Sequence, residues 1–138
     1  MENTTKELLN KIKKCTDITK CVEENREAYL NITPVQCLNN LIEVKKLIIA
    51  DIAEGSERGD YVYKVFSGKR KASRDVLIAI AFGMNLTLDE TQLLLRIASK
   101  ARLDPKNARD SVIIYGLYSS LRISHVNDIL YERSERLL

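Results

Sequence analysis

Helix-start signals recur along this chain, and they constrain its fold more than any other feature. Thr4-x-x-Glu7, Thr33-Pro34-Val35-Gln36 and Thr87-x-x-Glu90 each place a hydroxyl three residues before a Glu or Gln. In such a capping box the hydroxyl and the later side chain each satisfy a backbone N–H that the first helical turn leaves free. Pro34 adds a residue preset for the first helical position. Asp17, Ser73, Asp104-Pro105 and Ser124 supply further starts. Apolar residues follow at helical spacing: Leu8, Leu9 and Ile12; Leu38, Leu41 and Ile42; Leu77, Ile80, Ala81 and Met84; Leu93, Leu94 and Ile97. Five Gly and two Pro among 138 residues are too few for the turns of a β-sandwich. The pattern predicts an all-α chain of eight or nine short helices. Val112-Ile113-Ile114-Tyr115 has strand-like composition but no partner strand. No internal repeat and no low-complexity segment is evident.

Composition excludes several functions. The longest apolar run, Val76–Met84, is broken by Gly83 and is far short of the ~20 residues that span a bilayer. Residues 1–5 lack the basic-then-apolar order of a signal peptide, so a cytoplasmic protein is expected. Cys15, Cys21 and Cys37 form no Cys-x-x-Cys pair and have one histidine, His125, to join them. Reduced, packed thiols are expected, with no metal and no cofactor. No Ser/His/Asp or Cys/His arrangement points to catalysis, and Asp89 and Glu90 read as first-turn partners of a helix dipole. Gly68-Lys69 is not a phosphate-binding P-loop, because Tyr63 stands where that motif needs Gly.

Charge is more informative than composition. The chain carries +3 overall, yet residues 58–74 hold Arg58, Lys64, Lys69, Arg70, Lys71 and Arg74 against Asp60, a local +5. A concentrated basic patch is what a polyanionic partner requires. The patch follows a helix over about Leu47–Glu54, a break at Gly55-Ser56, and a second helix ending near Phe66. Two short helices, a brief turn and a basic loop make the layout of a helix-turn-helix, whose second helix enters the major groove. On that helix Val62, Val65 and Phe66 share the inward face, while Asp60, Tyr63 and Lys64 face out. Tyr61 and Tyr63, two apart, cannot both point inward. The expected DNA-contacting set is Arg58, Asp60, Tyr61, Tyr63, Lys64, Lys69, Arg70, Lys71, Ser73 and Arg74, the loop members on phosphates and Asp60 and Lys64 on bases.

The string Tyr61-Val-Tyr-Lys-Val-Phe-Ser-Gly-Lys-Arg-Lys-Ala-Ser-Arg74, followed by a helix from Asp75 to Met84, resembles the lambda-repressor-like (Xre-type) helix-turn-helix family. That family commonly has an aromatic recognition helix, then Ser-Gly-Lys-Arg, with Pro where this chain has Ala72. The resemblance spans about Thr33–Ser99. It implies a five-helix domain over 33–98, flanked by helical extensions at 1–32 and 99–138, that binds duplex DNA as a transcriptional regulator. The apolar surplus of Val112, Ile113, Ile114, Leu117 and Tyr118 suggests a homodimer through 99–138. The other compatible class is a helical module that keeps the fold and binds a protein, as an adaptor or antitoxin does.

Overall fold

The computed structural model describes residues 32–138. Among them are seven helices and no strand: α1 (Pro34–Lys45), α2 (Ile49–Ser56), α3 (Asp60–Phe66), α4 (Arg74–Gly83), α5 (Leu88–Ile97), α6 (Ala108–Tyr118) and α7 (Ile123–Glu132). The helices expected before Ile32, with Cys15 and Cys21, lie outside the described residues. The all-α expectation is met.

Local capping chemistry sets most starts. The Gln36 N–H donates to Thr33 Oγ1 (3.1 Å) while Gln36 Oε1 accepts from the Thr33 N–H (3.0 Å). Thr87 and Glu90 repeat this box at 3.1 and 2.9 Å. The Ser73 hydroxyl caps α4 by accepting from the Val76 N–H. Two starts differ from expectation. Asp104 and Pro105 form a turn closed by the Asn107 N–H on the Asp104 carbonyl (2.9 Å), and Asn107 caps α6 instead. At α7, Arg122 holds the cap position, so the helix opens at Ile123, ahead of Ser124. The strand-like run Val112–Tyr115 is helical.

Helix α4 is the centre of the molecule. Six consecutive residues, Val76–Ala81, are buried, which a helix shows only when it is covered on all sides. Its neighbours are α2, α5 and α7. One cluster joins Leu38 of α1, Val62 and Phe66 of α3, Leu94 of α5, Ile113 of α6 and Leu130 of α7. Thus 99–138 and the segment before it share a single core. Val112, Ile113 and Leu117, three of the surplus apolar residues of α6, lie inside it.

Where α2 crosses α4, glycine is required. A Cβ on Gly83 would sit 2.6 Å from the Ile52 carbonyl oxygen, a backbone atom that cannot swing away. Gly→Ala in a helix ordinarily stabilises by about 0.5–1 kcal/mol. Here the sign reverses: Gly83→Ala must push α2 off α4, and overpacking of this kind costs about 1–3 kcal/mol. A lowered urea midpoint at unchanged m value is the expected readout; an unchanged or raised midpoint would contradict the close crossing.

Although no repeat is evident in the sequence, the backbone contains one. Segments 74–103 and 109–138 match at a spacing of 35 residues, the separation of Arg74 from Arg109. Asn85 and Ser120 both take φ 55°, and Ser99 and Ser134 take 59° and 58°. Leu86 N–H donates to the Ala81 carbonyl and Leu121 N–H to that of Gly116, each at 2.9 Å. The Gln92 side chain brackets the backbone of Leu103 through both its N–H and carbonyl, and Asn127 does the same for Leu138. Each unit is therefore a helix, a left-handed turn, a second helix and a non-helical tail. The first helix of each packs near the second helix of the other: α4 with α7, and α6 with α5. Such reciprocal pairing is what a two-fold relation produces, here within one chain.

Candidate nucleic-acid interface

The expected faces of α3 are present. Val62, Val65 and Phe66 are buried, while Asp60, Tyr63 and Lys64 are exposed, Tyr63 at 46%. The link from α2 spans Glu57–Gly59, with Glu57 left-handed at φ 59° and exposed.

The loop after α3 has a fixed backbone and exposed cationic side chains. The amides of Lys69 and Arg70 both donate to the Lys64 carbonyl, at 2.9 and 3.2 Å. Ser67 Oγ donates to the same oxygen (3.1 Å). Gly68 takes φ 83°, a left-handed conformation that lets the chain fold back over the end of α3. The Tyr61 hydroxyl donates to the Lys71 carbonyl at 3.1 Å, so this half-buried ring pins the far end of the loop. Asn39 of α1 ties in the junction by donating to the Val35 and Phe66 carbonyls. Lys69, Arg70 and Lys71 are all exposed, and no ion pair holds any of them among the described residues. Arg58 is half-buried, also without an ion pair there. Ser73 is exposed, with its hydroxyl oxygen already engaged as the α4 cap.

Arg74 departs from the expected set. Its guanidinium does not project with the other loop cations. Nη1 and Nη2 donate to the two carboxylate oxygens of Asp110 at 3.2 and 2.9 Å. Nε and Nη2 also donate to the Ala101 and Arg102 carbonyls. The reason is chemical: a planar guanidinium matches a carboxylate in bidentate geometry, and a partly buried one needs every donor satisfied. Arg74 is therefore a structural clamp, corrected from its place among the phosphate contacts.

The repeat supplies the mirror image of that clamp. Arg109 donates to both oxygens of Asp75 at 3.1 Å, and its remaining donors go to the Arg136 and Leu137 carbonyls. Each arginine thus binds the tail of its own unit and the aspartate of the other. Asp75 feels opposing influences. Burial disfavours its charge, but the hydrogen bonds and positive charges of Arg109 and Arg136 outweigh that, and its carboxyl is held below the ordinary value. The sequence reading gave Asp75, Arg109, Asp110 and Asn39 no part in these contacts. The available signal was the repeated Arg-Asp dipeptide at the start of two helices, Arg74-Asp75 and Arg109-Asp110.

Charge on this side of the molecule is divided. Lys64, Lys69, Arg70 and Lys71 lie at the end of α3 and beyond. Asp51, Glu54, Glu57 and Asp60, all exposed, lie along α2, the link and the start of α3. A polyanion would be attracted to the first group and repelled by the second.

Among the described residues no cluster of three His, Cys, Asp or Glu side chains is arranged to hold a metal ion. No helix there is long and apolar enough to cross a membrane. Cys37 is buried in α1, and burial, with a smaller push from the charge of Glu90, raises its thiol to about 12, so it stays protonated at neutral pH. No known protein family, curated protein or solved structure matches this chain.

Proposed function

We propose that the chain binds duplex DNA through α2 and α3, acting as a helix-turn-helix, and works in the cytoplasm as a transcriptional regulator. One observation carries this reading. A loop with a hydrogen-bonded backbone holds three exposed cations, Lys69, Arg70 and Lys71, none of them ion-paired among the described residues, directly after a helix whose outer face offers Asp60, Tyr63 and Lys64. Phosphates fix the position of a protein on the duplex, and base edges supply the sequence information. The loop suits the first task. For the second, Lys64 suits guanine and Asp60 suits the amino group of cytosine.

The proposal includes pairing of two copies, since a single such unit makes few base contacts. Most apolar residues of α6 and α7 are inside the core, so pairing rests on the exposed Tyr115, Tyr118 and Tyr131. A second reading, a protein-binding helical module, is favoured by the four exposed carboxylates of α2, the link and α3. Selection from a random duplex pool separates the two. The expected outcome is an enriched motif of two half-sites about one helical turn apart, altered by Asp60→Ala. A pool without enrichment would favour the protein-binding module.

A further inference from the structure

A groove of about 530 Å³ lies beside the basic loop, between the start of α1 and the end of α5. Its volume is in the range that takes a small organic ligand, roughly 300–1,000 Å³. Three features of its lining define the chemistry of an occupant. The apolar part is Val35, Leu38, Val65, Leu77 and Ile97, all aliphatic. The charged part is Arg70, Lys71 and Lys100, with no carboxylate among the described lining residues. Uncharged polar side chains are few: Thr33, whose hydroxyl oxygen already caps α1, and Ser99. Among these residues a sugar or nucleoside would find donors but few side-chain acceptors, and a planar aromatic ligand would find no ring to stack on.

We propose that this groove binds a medium-chain aliphatic carboxylate, with the chain along the aliphatic floor and the carboxylate among Arg70, Lys71 and Lys100. The neighbourhood fits that assignment. Lys100 stands on the turn after α5, its amide held by the Leu95 carbonyl at 2.8 Å. Arg70 and Lys71 stand on the loop after α3, their backbone fixed by Lys64 and Tyr61. Cations thus come from two separate segments of the lining, each with its backbone held by hydrogen bonds, the condition for a preorganised anion site. Ala72 and Ala98 leave room where larger side chains would fill the groove. This site stands independently of the proposed DNA binding, because its occupant is judged by direct titration of the protein alone.

The test is a titration of the full chain with octanoate at constant ionic strength, followed by amide chemical shifts. Butyrate, hexanoate and octan-1-ol serve as comparators. Saturable shifts are expected around Val35, Ala72, Ile97 and Lys100. Affinity should rise roughly three- to fourfold per added methylene, the factor expected for burying one CH₂. Octan-1-ol should bind at least about tenfold more weakly, since it lacks the charge. Ala98→Phe should abolish binding by filling the groove. Lys100→Ala, an exposed change that leaves the fold intact, should weaken octanoate by about threefold or more while leaving octan-1-ol unaffected. The proposal is overturned if octanoate gives no saturable shift, if the shifts map elsewhere, if octan-1-ol binds equally well, or if Lys100→Ala binds octanoate like the parent.

Discussion

Asp110→Ala is expected to destabilise the fold by about 3 kcal/mol or more, among the largest single effects in the molecule. Asp110 is 6% exposed and accepts two bonds from Arg74 and one from the Asp104 amide. Truncation leaves the Arg74 charge partly buried without its partner, and breaking a buried pair in this way costs about 3–5 kcal/mol. Replacing both members, as in Arg74→Met with Asp110→Leu, should cost clearly less than the single change, because no orphaned charge remains. The contrast within the protein is Arg136, whose side chain is 73% exposed and meets Asp75 at 3.4 Å. Arg136→Ala should cost under about 1 kcal/mol, as exposed pairs do. Urea midpoints at pH 7 measure all three variants. A loss below about 1 kcal/mol for Asp110→Ala would show that the crossed clamp does not hold the two units together.

The clamp also has a pH signature. Asp75 has a depressed value in the folded chain. Its contribution to stability is therefore complete above the ordinary aspartate range, about 3.9, and is lost as pH falls through the folded value. Asp75→Asn should remove that part of the acid limb. The variant should be less stable than the parent at pH 7, with the gap closing as pH drops below 4.

The second large effect concerns the loop. Lys69→Ala with Arg70→Ala is expected to weaken binding to every duplex alike, since phosphates carry no sequence. Each lost phosphate contact removes about 0.9 from the slope of log K against log salt, so the slope should fall by roughly two units. The folded state should be unchanged, because both side chains are exposed and make no ion pair among the described residues. Arg74→Lys gives the complementary result. It breaks bidentate bonding to Asp110 and lowers stability, but should leave the slope as it was, since Arg74 faces the C-terminal unit. A double variant with full affinity and an unchanged slope would remove the loop from the interface.

What the sequence made legible was local. Thr33, Ser73 and Thr87 cap helices through side chains three residues from their targets, so their pattern survives in one dimension. The faces of α3 follow from helical spacing alone. The start of α6 was misplaced because two local signals compete. Asp104-Pro105 is the stronger by composition, but Asp110 reaches back to the Asp104 amide and holds that segment as a turn. Arg74 was misassigned because its partner is 36 positions away, and nothing in a run of cations marks the one that turns inward. The repeat was hidden because it rests on φ angles, turn hydrogen bonds and a few side-chain contacts, the tail brackets and the crossed Arg–Asp pairs, while most other side chains differ between the units. In α6 the apolar surplus was legible, but its destination was not. Val112, Ile113 and Leu117 meet the chain's own core, and the tyrosines alone face outward.

The most direct test of the central claim is a titration of the full chain onto an arbitrary 20–30 base-pair duplex at several salt concentrations. With Lys69, Arg70 and Lys71 on phosphates, log K should fall linearly with log salt at a slope of about −3 or steeper. No measurable binding at low salt, or an affinity that does not change with salt, would contradict the account.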